Sequence, residues 1–400
     1  MAAAAWRIAL SAAVLNGIGL GGRQAFGVFV SALNTQSGIG LPLLSLALAL
    51  GQLALGAAQP ALGRWADRAG AHRVVVAGAA LFMLSTALPA AWPMATVVFA
   101  SVVISSVASS AIGSNALLLG PVSRAATSAH AAFAVGLLGA GMSFGQLLLG
   151  PALQWGLGHA GWRATLLAFA ACGLLAIPLA RTLRRPEAAP SERQQPVAIR
   201  PVLRQATFWR YAGSFAVCGA HVGFLAVHMP GVIERCGLSP SFAGTWIAIA
   251  GAANIAGSLC VGVLLRRCPA ATVLSALYVL RGAAVLAFAW APPTTAGLIA
   301  FGLLMGATHM ATLPPTSALV SARYGTASLG ALFGVVMLVH QAGSFAGIWL
   351  GGLLASATGT DTWFWMLDAA LALCAAALVL PWWDRARQAT PGTALRVATR

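Results

Sequence analysis

Long apolar stretches alternate with short polar segments along the whole chain. Each apolar stretch has about 20 mostly apolar residues, the length that an α-helix needs to cross a bilayer. Polar residues gather in a linker at 184–204 and in a tail at 386–400, which divides the chain into halves at 1–183 and 205–385. The pattern predicts twelve transmembrane spans, numbered in order: 6–30, 41–62, 74–92, 94–118, 130–155, 162–183, 207–231, 240–264, 271–291, 295–318, 329–355 and 362–383.

The two halves carry a weak internal repeat. Ser143 and Trp162 are matched 201 positions later by Ser344 and Trp363. Two six-span halves of the same orientation are related by an axis along the membrane normal. We therefore expect an all-α integral membrane protein with twelve transmembrane helices in two six-helix, pseudo-symmetric halves.

The composition excludes an ordinary soluble domain. Hydrophobic residues make up 59% of the chain and charged residues 8%, against about 25% charged residues in a typical globular domain. The net charge of +16 does not indicate nucleic acid, because the arginines flank apolar segments and form no basic domain. The six cysteines are scattered, without the spacing of a metal site or a disulfide framework, so we expect no cofactor and no metal.

The arginines predict the orientation in the membrane. All 23 basic residues are arginine; nineteen of them fall on one side of the membrane, and two, Arg163 and Arg235, on the other. Because arginine is enriched in cytoplasmic loops, both termini are predicted to be cytoplasmic.

The segment between spans 2 and 3 carries the most specific motif of the chain. Residues 63–73 form a charged loop in which Gly63, Asp67, Arg68 and Gly70 keep an ordered spacing. This loop resembles the signature between the second and third helices of the major facilitator superfamily. The resemblance implies a secondary transporter that moves a small molecule by alternating access, not an enzyme.

The same resemblance implies a gating role for this loop. In the family, the acid steadies the closed cytoplasmic side by meeting basic residues and a helix N-terminus. Here the acid is Asp67, and we expect Arg68 and Arg124 to be its basic partners. Gly63 permits close helix packing and Gly70 a tight turn.

Further motifs resemble the branch that holds the monocarboxylate transporters, the oxalate:formate exchangers and their bacterial relatives. They are residues 23–29 in span 1, 136–150 in span 5, 221–230 in span 7 and 340–345 in span 11. The resemblance implies a small organic anion as substrate, a monomer, and the cytoplasmic (inner) membrane of a bacterium. The chain departs from the branch in having no Lys and no mid-membrane Asp–Arg combination in span 8.

Two other functions remain open from the sequence. Gly150-Pro151 in span 5 is similar to part of the antiporter signature of drug exporters, which would indicate an exporter of amphipathic compounds by proton antiport. A non-transporting membrane sensor or enzyme on the same scaffold is the alternative of another class. No nucleophile–base pair or phosphate-binding loop in the sequence supports an enzyme.

Arg23, in span 1, is the first candidate for binding the substrate. A charged group inside the membrane is costly, which makes it a functional candidate. No acid lies at a comparable depth in a neighbouring span that the family geometry assigns to the cavity, so a carboxylate substrate could satisfy its two-pronged guanidinium. The alternatives are that Arg23 extends to the outer surface or donates to backbone carbonyls.

Polar residues in other spans complete the predicted substrate site. A cavity histidine can bind substrate or carry a coupled proton, because its charge changes near neutral pH; the alternative is a neutral histidine that hydrogen-bonds its neighbours. The predicted substrate-binding residues are Arg23, Asn115, His221, His228, His340 and Gln341. His309 is a weaker candidate. The family geometry places span 9 on the periphery, so Arg281 is interpreted as part of a structural pair or as extending to the surface, and Asp368 in span 12 is interpreted as structural.

Overall fold

The computed structural model describes residues 3–115, 117–118, 121–122, 131–184, 199–239, 241–290, 294–324 and 329–380. Twelve helices, α1–α12, follow one another in the order of the predicted spans, and the described residues contain no strand. The predicted all-α, twelve-helix fold is confirmed. The helices are α1 (Ala3–Asn16, Gly22–Ala25 and Val30–Ser37, joined by a π turn at Gly17–Gly21 and a 3-10 turn at Phe26–Phe29), α2 (Leu41–Ala69), α3 (Ala71–Ala91), α4 (Ala95–Gly113), α5 (Ala131–His159), α6 (Gly161–Ala171 and Gly173–Ala180, closed by a 3-10 turn at Arg181–Leu183), α7 (Ala206–Arg235), α8 (Phe242–Leu264), α9 (Ala270–Trp290), α10 (Thr295–Thr308 and Leu313–Tyr324, around a 3-10 turn at Met310–Thr312), α11 (Leu329–Thr358) and α12 (Thr362–Leu378).

Length and hydropathy fit these helices to a bilayer. Within the part of the chain that the structure describes, nine helices are long and apolar enough to cross a membrane. The other three are α1, α5 and α12, of which α12 is the shortest with 17 residues. Many large apolar side chains remain exposed on the outside of the bundle, among them Leu84, Leu148 and Trp290. Such a surface is stable in lipid, where exposed apolar groups cost nothing.

The charged segment between spans 2 and 3 is almost entirely helical, which corrects the prediction of a loop over 63–73. The helix α2 continues to Ala69 and α3 begins at Ala71, so only Gly70 lies between them. Gly70 has φ +89° and ψ 141°, a conformation that L side chains rarely adopt. A single glycine therefore makes the whole turn. The predicted irregular linker is likewise helical at Ile199–Leu203.

The internal repeat is visible in the packing. In the N-terminal half α5 packs on α1, where a Cβ added at Gly145 would lie 2.3 Å from the carbonyl oxygen of Gly17. In the C-terminal half α11 packs on α7, where a Cβ added at Gly343 would lie 1.9 Å from that of Ala216. Backbones this close require glycine, and small residues are what membrane helices use where they pack tightly.

The halves meet along two helix pairs, α2 with α11 and α5 with α8, and along the outer part of α1 with α7. We name the two ends of the bundle by the predicted orientation: the inner end holds Gly70, and the outer end holds Gly161 and Gly237. Near the outer end, a Cβ added at Gly27 would lie 2.0 Å from the carbonyl oxygen of Ala226 on the other half.

Toward the inner end the same helix pairs separate. Cβ atoms added at Gly63, Gly139, Gly262 and Gly334, on α2, α5, α8 and α11, would meet no heavy atom within 4 Å. The described residues therefore show contact between the halves from the outer end to the middle. Toward the inner end Gly139 lines a cavity that lies between the halves, so the arrangement is that of an inward-facing state.

Candidate functional site

A small cavity lies between the two halves, near the middle of the helices that line it. Its volume is about 40 Å³, which is room for a few waters. The N-terminal half contributes α1 and α5 to the wall, and the C-terminal half contributes α7 to α10. We call it the central cavity, and its lining consists of Gln24, Gln146, His221, Val222, Leu225, Ala226, Trp246, Ile247, Ala250, Arg281, Met305, Gly306 and His309.

Arg281, on α9, brings a permanent charge to the central cavity, although only 1% of the residue is exposed. The α-helical part of α10 ends at Thr308 beside it, which leaves backbone carbonyls without helical partners. Arg281 Nε donates to Thr308 Oγ1 at 3.3 Å, and Nη2 donates to the carbonyl oxygens of Thr308 and, at 3.5 Å, His309. The third nitrogen, Nη1, is buried and has no hydrogen-bond partner. The break in α10 thus holds the guanidinium, the buried Cys218 thiol interacts with it electrostatically, and Nη1 has no hydrogen-bond partner.

His221 and Asp368 form a buried pair next to the central cavity. His221 Nδ1 lies 2.7 Å from the carbonyl oxygen of Val217, an acceptor, so Nδ1 carries a hydrogen and donates. Nε2 lies 3.3 Å from Asp368 Oδ1, but neither group completes a hydrogen bond there, and both carboxylate oxygens lack a partner. In the neutral histidine Nε2 is an acceptor and faces another acceptor. One additional proton, on either group, would make this contact attractive.

The charge of Arg281 acts on both members of this pair. Arg281 interacts electrostatically with His221, His309 and Asp368, and its guanidinium carbon lies 5.7 Å from the ring centre of Tyr278. The buried carboxylate therefore has a cation in its surroundings without a direct ion pair to it. Such clusters of buried titratable groups are typical of functional sites.

Arg23 is held by uncharged polar groups of the protein rather than by an acid. Its Nε donates to Ser106 Oγ on α4 at 3.1 Å, and its Nη2 donates to the carbonyl oxygen of Leu48 on α2 at 3.0 Å. The residue is 7% exposed and joins three helices of the N-terminal half. This is the carbonyl-bonded arrangement that the sequence analysis left open, and the neighbouring Gln24 reaches the central cavity instead.

Three other predicted site residues lie away from the central cavity. His228 is buried, with Nε2 at 2.8 Å from the carbonyl oxygen of Ile348, which joins α7 to α11. His340 packs against Phe215 with ring centres 4.7 Å apart, and its Nδ1 has no hydrogen-bond partner. Gln341 Oε1 accepts a hydrogen bond of 3.0 Å from Gln52 Nε2, which links the halves through α2 and α11.

A second, larger cavity of about 480 Å³ lies toward the inner end, and we call it the inner cavity. Asn115 lines it and accepts a hydrogen bond of 3.1 Å from Asn16, so this predicted site residue does face space between the halves. The described lining is otherwise mostly apolar: Asn16, Leu20, Asn115, Leu138, Gly139, Ala140, Met142, Ser143, Ile255, Ser258, Leu259, Met310, Leu313 and Pro314.

The predicted gating residues lie at the inner end of α2. Gly63 and Arg68 lie on the last turns of that helix, and Gly70 makes the turn into α3. The backbone of Asp67 is helical, whereas Arg124 lies outside the described residues. The gating role of this group therefore stays a prediction.

Three residues that the structure brings together were not among the predicted substrate-binding residues. Family geometry placed span 9 at the periphery, but the long side chain of Arg281 reaches inward to the break in α10. His309 lies at that break and lines the central cavity. Asp368, interpreted as structural, is 1% exposed and faces His221. The sequence did contain a signal for these residues, because acids are rare in the spans. A buried Asp in a span needs a partner, and Arg281 and His221 lie at a depth comparable to that of Asp368.

Comparison with known proteins identifies the family. The sequence model of the Major Facilitator Superfamily matches residues 10–300 and 224–398. The chain belongs to this superfamily. This is a family of membrane transporters. Membership therefore points to a transporter rather than to an enzyme.

Individual relatives are more distant. The chain is 24% identical to Monocarboxylate transporter 13 of Bos taurus over 260 residues, which is 63% of this chain and 60% of that protein. A bacterial homolog of the human lysosomal transporter Spinster, solved in an inward-facing and unoccupied conformation, is similar with a TM-score of 0.67 and 16% identity, over 95% of each chain. A point mutant of the nucleoside transporter NupG is similar with a TM-score of 0.74 and 14% identity, over 94% of this chain and 98% of that one. At these identities the two structures show the shared fold.

Proposed function

We propose that this chain moves a small organic anion, such as a monocarboxylate, across the membrane by alternating access, and that Arg281 binds its carboxylate. The observation that carries the proposal is that Arg281 lines a cavity shared by both halves and has a buried Nη1 without a hydrogen-bond partner. Transporters built from two repeated halves bind substrate near the midplane between them. The relationship to Monocarboxylate transporter 13 supports the same class of substrate.

The chemistry of the central cavity favours an anion. An arginine is charged at every physiological pH, and the free Nη1 can donate its hydrogens to a carboxylate. Because α10 already fixes two of the guanidinium nitrogens, Arg281 loses little conformational freedom when it binds. Gln24 and Gln146, from the opposite half, can donate to the same carboxylate. Binding would then draw the two halves together.

The His221–Asp368 pair is the proposed carrier of a coupled proton. The contact between the two acceptors becomes favourable when one proton is added, and the charge of Arg281 nearby makes the pair sensitive to the arrival of an anion. A carboxylate bound at Arg281 would offset that positive charge and favour protonation of the pair. Anion and proton would therefore bind together, which is symport.

We further propose that the protein lies in the cytoplasmic membrane with both termini inside. The support is the distribution of arginine, which is concentrated on the side that holds Gly70. In that orientation the inward-facing structure opens its inner cavity to the cytoplasm.

Arg281 is tested against Arg23, which is equally confined to the membrane and also hydrogen-bonded by protein groups. In proteoliposomes at matched levels of folded protein, Arg281→Gln should lower monocarboxylate uptake at least tenfold, because a charge-assisted hydrogen bond contributes about 1.5–3 kcal/mol. Arg281→Lys should recover only part of it, since lysine keeps the charge but lacks the additional donors that hold the side chain against the break in α10. Arg23→Gln should chiefly lower thermal stability. Normal uptake by Arg281→Gln would refute the assignment.

Asp368 is tested by separating exchange from net uptake. Wild-type uptake should rise as the outside pH falls, because a proton then binds to the His221–Asp368 pair. Asp368→Asn should abolish this pH dependence and net uptake, while exchange of carboxylate for carboxylate continues. Asp361→Asn, the same change in an outer carboxylate that pairs with Arg235, should leave the pH dependence intact. A pH profile that survives in Asp368→Asn would mean that another group carries the proton.

A further inference from the structure

The inner cavity differs from the central cavity in both size and chemistry. At about 480 Å³ it falls in the range of roughly 300–1,000 Å³ that is typical of sites for drug-sized ligands. None of the described residues that line it is charged. Leu20 and Leu138 line it from the N-terminal half, and Ile255, Leu259 and Leu313 from the C-terminal half.

The two cavities follow each other along the same helices. On α1, Leu20 of the inner cavity lies one helical turn from Gln24 of the central cavity, and on α5 Met142 lies one turn from Gln146. On α10, Met310 of the inner cavity follows His309 of the central cavity directly. A molecule anchored at Arg281 and pointing toward the inner end would therefore enter the inner cavity within one turn of helix.

The described part of the wall, which is uncharged and rich in leucine, discriminates between anions. A small hydrated anion gains nothing from it and loses water, because burying a charge without a partner is costly. An apolar group attached to the anion gains from the same wall in proportion to the area it buries. The central cavity alone, with about 40 Å³, has no room for such a group.

From this arrangement we infer that the substrate is a carboxylate with an apolar body of several carbons, an alkyl or aryl carboxylate, rather than a one- or two-carbon acid. The inference rests on the proposed function, since Arg281 anchors the carboxylate. The apolar body occupies the inner cavity between α1, α5, α8 and α10. The inner cavity is thus part of the binding site as well as the path to the cytoplasm.

The test is a binding series in lipid nanodiscs, with protein-free nanodiscs subtracted to remove partition into lipid. Acetate, butyrate, hexanoate and 3-phenylpropionate compete against radiolabelled hexanoate, and hexanamide serves as the neutral analogue. Apparent affinity should rise about fourfold for each methylene that the cavity buries. Hexanamide should bind at least tenfold more weakly than hexanoate.

The variant that fills the inner cavity is Leu259→Trp. Leu259 is 68% exposed and lines the inner cavity, so the larger side chain has space to enter it. Its matched control is Leu148→Trp, because Leu148 is also 68% exposed but does not line either of the two cavities. Leu259→Trp should lower the ratio of hexanoate affinity to acetate affinity at least tenfold. Leu148→Trp should leave that ratio unchanged.

The possible results separate this inference from the proposed function. The inference is overturned, and the proposed function stands, if carboxylates bind through Arg281 but their affinity does not depend on chain length. The same holds if the increase of affinity with chain length persists in Leu259→Trp. If hexanamide binds as tightly as hexanoate, or no carboxylate of any length binds, the proposed function fails and the inference fails with it.

Discussion

Two buried arginines in this protein have different surroundings, and the difference decides what each can do. Arg23 donates to Leu48 and Ser106 within one half, so its charge is shared by helices that move together. Arg281 also donates to its own half, but Nη1 remains free beside a cavity that the opposite half closes. A buried donor without a partner costs free energy until a ligand accepts its hydrogen bond. The cost of that donor in the empty protein is therefore recovered when an anion binds.

At the outer surface, Cys236 offers a residue-level test of orientation and electrostatics. Burial raises the pKa of the Cys236 thiol and the carboxylate of Asp361 raises it further, while Arg235 lowers it. Since the thiolate is the reactive form, an impermeant maleimide should label a Cys236-only variant in intact cells, but slowly at neutral pH and faster as pH rises. Asp361→Asn should lower the thiol pKa and speed labelling at a given pH. A Cys268-only variant should be labelled only after permeabilisation.

Labelling of Cys268 in intact cells would reverse the proposed orientation. A rate at Cys236 that does not change with Asp361→Asn would show that the bidentate Arg235–Asp361 ion pair, with oxygen–nitrogen distances of 2.6 to 3.0 Å, does not influence the thiol.

At the scale of elements, irregular turns mark the helices that build the site. The first helix changes from α to π at Gly17–Gly21 and to 3-10 at Phe26–Phe29, and Gln24 lies between these two turns. The tenth helix breaks between Thr308 and Leu313, where its carbonyls bind Arg281. Irregular turns inside membrane helices are tolerated where protein groups satisfy the backbone. In this protein an arginine from a third helix does so, which ties the position of α9 to the bend in α10.

At the scale of the whole molecule, the contacts between halves at the outer end determine which way the protein faces. Gly27 on α1 lies directly against the backbone of Ala226 on α7. Near the same end, Cβ atoms added at Gly244 and Gly352 would lie 2.7 Å from Gly150 O and 2.2 Å from Ser45 Oγ on the opposite half. These approaches exist only while the outer end is closed, so they stabilise the inward-facing state alone.

Substitution of Gly27 tests this idea. Gly27→Ala adds a methyl group 2.0 Å from a backbone oxygen of the other half, so the outer end should no longer close. Overpacking costs about 1–3 kcal/mol, which should shift the ratio of inward-facing to outward-facing molecules by roughly five- to 150-fold. The measurement is labelling of Ser258→Cys in the inner cavity, which should slow.

The control is Gly343→Ala, where the added methyl group would lie 1.9 Å from the carbonyl oxygen of Ala216 in the same half. This change should lower thermal stability without altering the ratio of inward-facing to outward-facing molecules. If both variants slow labelling of Ser258→Cys equally, the slower labelling reflects general damage to the helix bundle. The contacts at the outer end would then not determine the conformation.

The sequence by itself determined the fold class and the order of the helices. Apolar runs of span length have one stable form in a bilayer, because every backbone group must be hydrogen-bonded within the protein. The glycine at position 70 likewise fixed the place of the turn between α2 and α3, since few other residues adopt its conformation. The motif around it was enough to indicate the superfamily that the sequence comparison confirms.

Only the tertiary structure decided which polar side chains meet. Span pattern gives the depth of a residue but not the rotation of its helix, because a span that is apolar all round has no marked face. His221 was predicted for the site, but its partner Asp368 and the neighbouring Arg281 were not. For Arg23 the sequence left open whether it binds substrate, extends to the surface or donates to carbonyls, and Leu48 and Ser106 come within hydrogen-bond distance only when α1, α2 and α4 pack. Contacts between residues far apart in sequence depend on helix rotation and on local breaks such as that in α10, and these follow from packing rather than from the order of residues.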